Sequence, residues 1–326
     1  MKIIQVLADN AHVDTLRGIA DQYKVADFWV GNVQEDGRSV ARFLVTPNNR
    51  QSVLDAVQMT ISTSKDYRIF ILPVEASIPH PETADKAALN KGSATTTREE
   101  LYNNVYKGAQ LDSTYILLVF LSTIVAAIGL LENNVAVVIG AMVIAPLLGP
   151  NIALALGTAI GDTKLMSKAL VCSLAGLALA LVLSYIIGLI WTGPIDSNEL
   201  LARTYVGFSG AALALASGAA AVLSLTTGLP SVLVGVMVAV ALLPPTATIG
   251  IMAANQEYQL AYGAMLLLAV NIVCVNLAAK IVLLVRGVKP RTWLAKNKAK
   301  QSVALYITVW AVSLLVLMLL IYLPTL

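Results

Sequence analysis

The stretch Asn133-Asn134-Val135-Ala136-Val137-Val138-Ile139-Gly140-Ala141-Met142-Val143-Ile144-Ala145-Pro146-Leu147-Leu148-Gly149-Pro150-Asn151 decides the fold. It is apolar enough to enter a bilayer, yet it carries two prolines, two glycines and a terminal asparagine. Proline removes a backbone donor and its ring clashes with the preceding turn, which predicts a bent or partly unwound span. Freed carbonyls and amides are costly in hydrocarbon unless protein, ligand or water satisfies them. Such a break belongs where transporters keep their sites. A plain kink that serves helix packing is the other reading.

A second copy weighs against the plain kink. Moved along by 95 residues, Ile139-Gly140-Ala141-Met142-Val143 falls on Val234-Gly235-Val236-Met237-Val238, and Leu147-Leu148-Gly149-Pro150 falls on Leu242-Leu243-Pro244-Pro245. The apolar runs on either side correspond too. Two spans broken at one place in two halves predict an internally repeated transporter core, with breaks after Gly149 and after Pro244. The pair IGAMVIAPLLGP and GVMVAVALLPPT, with Asn271 and Asn276 downstream, resembles the "uncharacterised hydrophobic domain" family of prokaryotic membrane proteins. That family is a domain of unknown function, and the resemblance covers about residues 111–289. It implies no substrate.

Composition places the chain in a membrane. The 57% hydrophobic and 13% charged fractions, with a mean hydropathy of +0.76, exceed what a soluble globular chain carries. A net charge of +3 decides little. Cys172 and Cys274 both lie in apolar runs without metal-ligand spacing and read as small hydrophobes.

The first 76 residues read differently. Residues 2–8 form a strand-like run, and Val13, Leu16, Ala20 and Tyr23 follow helical spacing. Residues 25–33 and 38–45 are β-rich around Asp36-Gly37, a two-residue hairpin signal. Pro47-Asn48 opens a second helix, and residues 67–74 close as a strand. The order βαββαβ predicts an α+β ferredoxin-like domain. Met1 leads directly into the first strand, so no signal peptide is expected and the domain is read as cytoplasmic. Its expected partner is a small-molecule regulator; a docking module is the plainer reading. His12 and His80 are lone histidines.

Residues 77–112 read as a linker and an amphipathic connecting helix along the membrane surface, capped by Thr95-Thr96-Thr97, with Tyr102 and Tyr106 on one face. Spans follow at 113–131, 135–160 and 169–191 (repeat one, 113–192), then at 208–226, 230–254 and 260–285 (repeat two, 208–287). A terminal span covers 303–323. Lys164, Lys168, Arg286, Lys289, Arg291, Lys296, Lys298 and Lys300 lie in two connectors. Glu132, Asp196, Glu199 and Glu257 lie in the others. That bias puts the amino terminus in the cytoplasm and the spans in the cell inner membrane. Three spans per repeat invert the second copy, an arrangement that allows two equivalent states open to either side.

Candidate site residues are neutral. Asn134, Gly149, Pro150, Asn151, Pro244, Pro245, Thr246, Thr248, Asn271 and Asn276 are the substrate- or ion-binding candidates. Asn151 and Thr246 are equivalent under the shift, each just after its proline, and lead the list; backbone capping is the plainer reading. Asn271 and Asn276, five apart, share no helical face well, so one is free to line a site while the other bonds across helices. Lys280 is placed close to a span end, where it can snorkel. Ala153, Gly157 and Gly161, and likewise Gly210, Ala214 and Gly218, read as packing ridges.

No catalytic constellation, metal motif or cofactor loop appears, so a non-enzyme without cofactor is expected. The expected function is a secondary transporter of an ion or small polar solute. A channel gated by the soluble domain and a membrane sensor that moves nothing are the alternatives. The bilayer is the expected partner, the assembly a homo-oligomer, and nucleic acid is not expected.

Overall fold

The computed structural model describes residues 1–62, 66–74, 97–227, 231–286, 288, 308–317 and 319, with side chains in 231–254 from residue 241 onward. The expected linker up to residue 96, the basic connector 289–300 and the ends of the expected terminal span lie outside the described residues. The chain divides into two units, Met1–Arg98 and Glu99–Leu326.

The first unit runs β1 (Lys2–Asp9), α1 (Val13–Gln22), β2 (Asp27–Val30), β3 (Arg38–Val45), α2 (Arg50–Ile61) and β4 (Arg68–Pro73). Its sheet has the order β2-β3-β1-β4, every pair antiparallel. Alternation along β1 buries Ile4, Val6 and Ala8 with Phe43 and Val45 of β3. Against them pack Leu16 and Ile19 of α1 and Val53, Leu54, Val57 and Ile61 of α2. The hairpin is longer than the two residues expected. Gly37 N donates to Gln34 O at 3.0 Å and Gln34 N to Arg38 O at 2.7 Å, leaving residues 35–37 as the loop. Only Gly37 there takes a positive φ, +78°, which is a type I turn closed by a glycine bulge. Asp36, ion-paired to Arg38 at 2.5 Å, is held below the usual carboxylate range chiefly by that side-chain bond. α2 starts at Arg50, three residues past Pro47.

The second unit opens with α3 (Arg98–Lys107), then α4 (Ser113–Leu131), α5 (Val135–Ile144), α6 (Leu148–Ile160) and α7 (Thr163–Ile190). After the short α8 (Asn198–Leu201) come α9 (Phe208–Thr227), α10 (Ser231–Ala254), α11 (Tyr258–Val285) and α12 (Thr308–Leu317). α4, α7, α9 and α11 are each long and apolar enough to cross a membrane, and α5 with α6 passes as one bent span. They mark a membrane protein. α3 is not merely a surface helix: its Leu101 and Val105 are buried in the same core as the bundle.

The 95-residue offset reaches down to helix ends and caps. α4 and α9 begin 95 residues apart, at Ser113 and Phe208; α7 and α11 begin 95 apart, at Thr163 and Tyr258, and end 95 apart, at Ile190 and Val285. Gly161 and Gln256, one offset apart, both take left-handed backbone, at φ +75° and +63°. Each closes the same turn: Asp162 N donates to Gly157 O at 2.9 Å, and Glu257 N to Met252 O at 3.0 Å. Packing corresponds as well. α4 lies on α7 as α9 lies on α11, while α6 lies on α11 as α10 lies on α7. α6 and α10 thus each pack on both α7 and α11.

The two middle segments differ at one place. α5 and α6 meet at 52°. The break is at Pro146, not after Gly149. Ala145, the residue before it, is extended at φ −63° and ψ 122°, where the proline ring pushes a preceding residue. Gly149 and Pro150 fall inside the first turn of α6, where a proline's missing N–H costs nothing. In α10 the expected break after Pro244 is absent, and the helix continues through Pro244 and Pro245. The counterpart of Pro146 there is Ala241.

Candidate functional site

An uninterrupted helix through Pro244 and Pro245 lacks two N–H donors, which frees the carbonyls of Val240 and Ala241. One of them has a replacement partner. Asn271 of α11 donates its Nδ2 to Ala241 O at 2.9 Å, so a side-chain amide supplies the bond that Pro245 cannot. Asn271 is 6% exposed. Its Oδ1 has no hydrogen-bond partner among the described residues.

That side chain lines a cavity of about 280 Å³. Ala241 and Pro245 of α10 and Leu267 and Asn271 of α11 form one wall, and Gly210, Leu213, Ala214 and Ser217 of α9 another. Arg203, Tyr205, Gly207 and Ser209 border it where α9 begins. Gly210 makes the room: a Cβ there would meet only Leu267 Cδ1, at 3.8 Å. Arg203 Nη2 pairs with Glu199 at 3.1 Å, while its buried Nε makes no hydrogen bond among the described residues. The lining holds one guanidinium, an amide, a phenol and two serine hydroxyls, and no carboxylate. It suits acceptor oxygens on a solute.

The other candidates sit elsewhere. Asn151 Nδ2 donates back to Leu147 O at 3.0 Å, and Thr246 Oγ1 to Leu242 O at 2.7 Å. The Asn151 amide nitrogen and the Thr246 hydroxyl are therefore both spent on the carbonyl four residues earlier, and neither residue borders the cavity. Asn276 reaches across from α11 to Asn151 Oδ1 of α6 at 3.2 Å, a bond inside the core. Asn276 Oδ1 and Thr248 Oγ1 are buried without a hydrogen bond among the described residues. Asn134 is exposed and caps α5 through Val137 N at 3.2 Å. Gly149 faces the backbone of Gly108, which leaves no space for a Cβ. Lys280 does not snorkel. It is 2% exposed, with its ammonium 5.0 Å from the centre of the Trp310 ring.

At the bundle end where α4 and α7 begin, α3 is latched. Tyr102 donates to Asp162 Oδ2 at 2.9 Å and Lys168 Nζ to the Tyr106 hydroxyl at 2.9 Å. Burial, with the carboxylate beside it, pushes the Tyr102 hydroxyl up to about 12. Among the described residues no group of three or more His, Cys, Asp or Glu side chains stands together to hold a metal ion.

Sequence reasoning read Gly210 only as a packing residue, placed the break after Gly149 rather than at Pro146, and did not consider Arg203. The offset could have found the first: Gly210 is the counterpart of Tyr115.

Comparison with known proteins adds a family. The model described as "Domain of unknown function (DUF389)" matches residues 142–277. An "Uncharacterized protein" of Methanocaldococcus jannaschii is 31% identical over 280 residues, covering 86% of each chain. No solved structure matches the chain.

Proposed function

The chain belongs to the family described as a domain of unknown function, and from that premise we propose that it is an inner-membrane secondary transporter of a small polar solute. The observation that carries the reading is the cavity between α9, α10 and α11, floored by Asn271 and Pro245. Its donors favour an oxyanion or carboxylate over a cation. The helix ends and caps that recur at 95 residues support two inverted repeats, each three spans long. In that topology the amino terminus is cytoplasmic and the cavity opens to the outside, beside the connector that carries Asp196 and Glu199. The sheet order of the first unit supports a ferredoxin-like fold for it, a scaffold suited to a regulator.

Counterflow tests the proposal. Proteoliposomes preloaded with an unlabelled carboxylate or oxyanion should accumulate the labelled form from outside against its gradient. Arg203→Gln should weaken that exchange and Asn271→Ala should abolish it. If labelled solutes only run down their gradients, the protein is a channel; if no oxyanion or carboxylate moves, the transporter reading fails.

A further inference from the structure

The cavity has a filled counterpart. Moved back by 95 residues, its lining Gly210, Ser217, Leu267 and Asn271 falls on Tyr115, Ser122, Cys172 and Gly176. In repeat two the α9 position is the smallest residue and the α11 position carries a side chain. In repeat one the sizes are exchanged: Tyr115 of α4 projects toward Gly176 of α7, and a Cβ on that glycine would collide with the Tyr115 hydroxyl. The hydroxyl donates to Cys172 O at 3.0 Å, and Tyr115 is 5% exposed. A tyrosine ring thus occupies in repeat one the space that Gly210 leaves open in repeat two.

We propose that repeat one holds a second, latent cleft on the same pathway, stoppered by Tyr115 and opening to the face opposite the first. The proposal rests on the transporter reading above and deepens it. α4 and α9 begin at opposite faces if the repeats are inverted, so the two clefts are the two access routes of one pathway. Only one is open in this conformation. The Tyr115 hydroxyl makes one hydrogen bond, to a main-chain carbonyl of α7, and its ring packs in the bundle core beside Gly176. Such a plug can swing away without unmaking any helix. Ser122 matches Ser217 and Pro150 matches Pro245, while the counterparts of Arg203 and Asn271 are Gly108 and Gly176, so the latent cleft is lined without a guanidinium or an amide.

Native thiols report on this directly. Cys172 and Cys274 are both buried and free. Cys172 is the counterpart of Leu267, which lines the open cleft, so it should line the latent one. The experiment uses the full chain in membrane vesicles with a charged, membrane-impermeant methanethiosulfonate. In a Cys274→Ser background Cys172 should be protected. Tyr115→Ala should lose that protection in inside-out vesicles and keep it in right-side-out ones. Tyr115→Phe, which retains the ring, should stay protected. In the complementary Cys172→Ser background, Tyr115→Ala should leave Cys274 protected, which shows that the bundle has not loosened. The proposal is overturned if Tyr115→Ala leaves Cys172 protected, exposes it from the outer face, or exposes Cys274 as well. Exposure in Tyr115→Phe overturns it too. Labelling does not depend on transport, so its failure and a failure of counterflow are separate results.

Discussion

α5–α6 and α10 carry similar sequences 95 residues apart and meet their prolines differently. In the first, Pro146 throws Ala145 into extended backbone and the chain turns by 52°. In the second, two adjacent prolines leave the helix whole. A proline interrupts a helix by loss of a donor and by a clash with the carbonyl four residues back. In α10 the lost donor is replaced from a neighbouring helix by Asn271. In repeat one the counterpart of Asn271 is Gly176, which has no side chain to offer. What breaks the first span is therefore Pro146, where α10 has Ala241, while Asn271 satisfies the carbonyl that Pro245 frees.

The most damaging way to break this comparison is Ala241→Pro, which gives α10 the proline that α5–α6 has. The substitution should cost about 3 kcal/mol or more. Thermal unfolding in detergent should show it as a large fall in Tm. A small fall would mean that α10 tolerates a break there, and the contrast would lose its cause.

A milder test sharpens it. Asn271→Ala should cost about 1–3 kcal/mol in the native chain, because it orphans a buried carbonyl. In a Pro245→Ala background the helix supplies its own donor to Ala241, and most of that cost should vanish. A double-mutant cycle on unfolding free energies measures the coupling. Equal costs in both backgrounds would separate Asn271 from the proline.

The smallest effect lies at the latch. The Tyr102 hydroxyl is raised from 10.0 to about 12, first by desolvation and then by the Asp162 bond. Its folded-state value lies above the unfolded one, so its contribution is complete below pH 10 and is lost as pH climbs toward 12. Tyr102→Phe should cost at most about 1 kcal/mol at neutral pH, since the bond is partly exposed. The variant should also lack the alkaline loss of stability between pH 10 and 12, followed by circular dichroism. An unchanged alkaline limb would assign that loss to another group.

Much of the architecture was legible because it rests on composition and spacing. Long apolar runs, the 95-residue offset and the βαββαβ order are all one-dimensional signals, and helix ends follow them closely. α7 begins six residues before the span read at 169–191, because Asp162 caps it through the amides of Lys164 and Leu165, outside any hydrophobic pattern. The site was less legible. Pro150 and Pro245 align and so drew attention, whereas the break follows from Pro146, which aligns with an alanine. Asn151 and Thr246 look exposed to a ligand in sequence, yet each can reach its own backbone, and a local bond always competes with a distant one. Gly210 carries no chemistry of its own. Its meaning is the absence of the ring found at Tyr115, which appears only when the two halves are laid on each other.

The bond from Asn276 to Asn151 joins residues 125 positions apart in the chain. At translation speeds of roughly 5–20 residues per second, α6 is made on the order of ten seconds before its partner exists. During that interval the first half sits in the bilayer with an amide oxygen that nothing in its own repeat satisfies. Each middle segment packs on the third helix of both halves, so its packing is complete only when the second half is made. Biosynthesis of this protein thus has a built-in waiting period, and the insertion machinery must shelter a half-made bundle until α11 arrives.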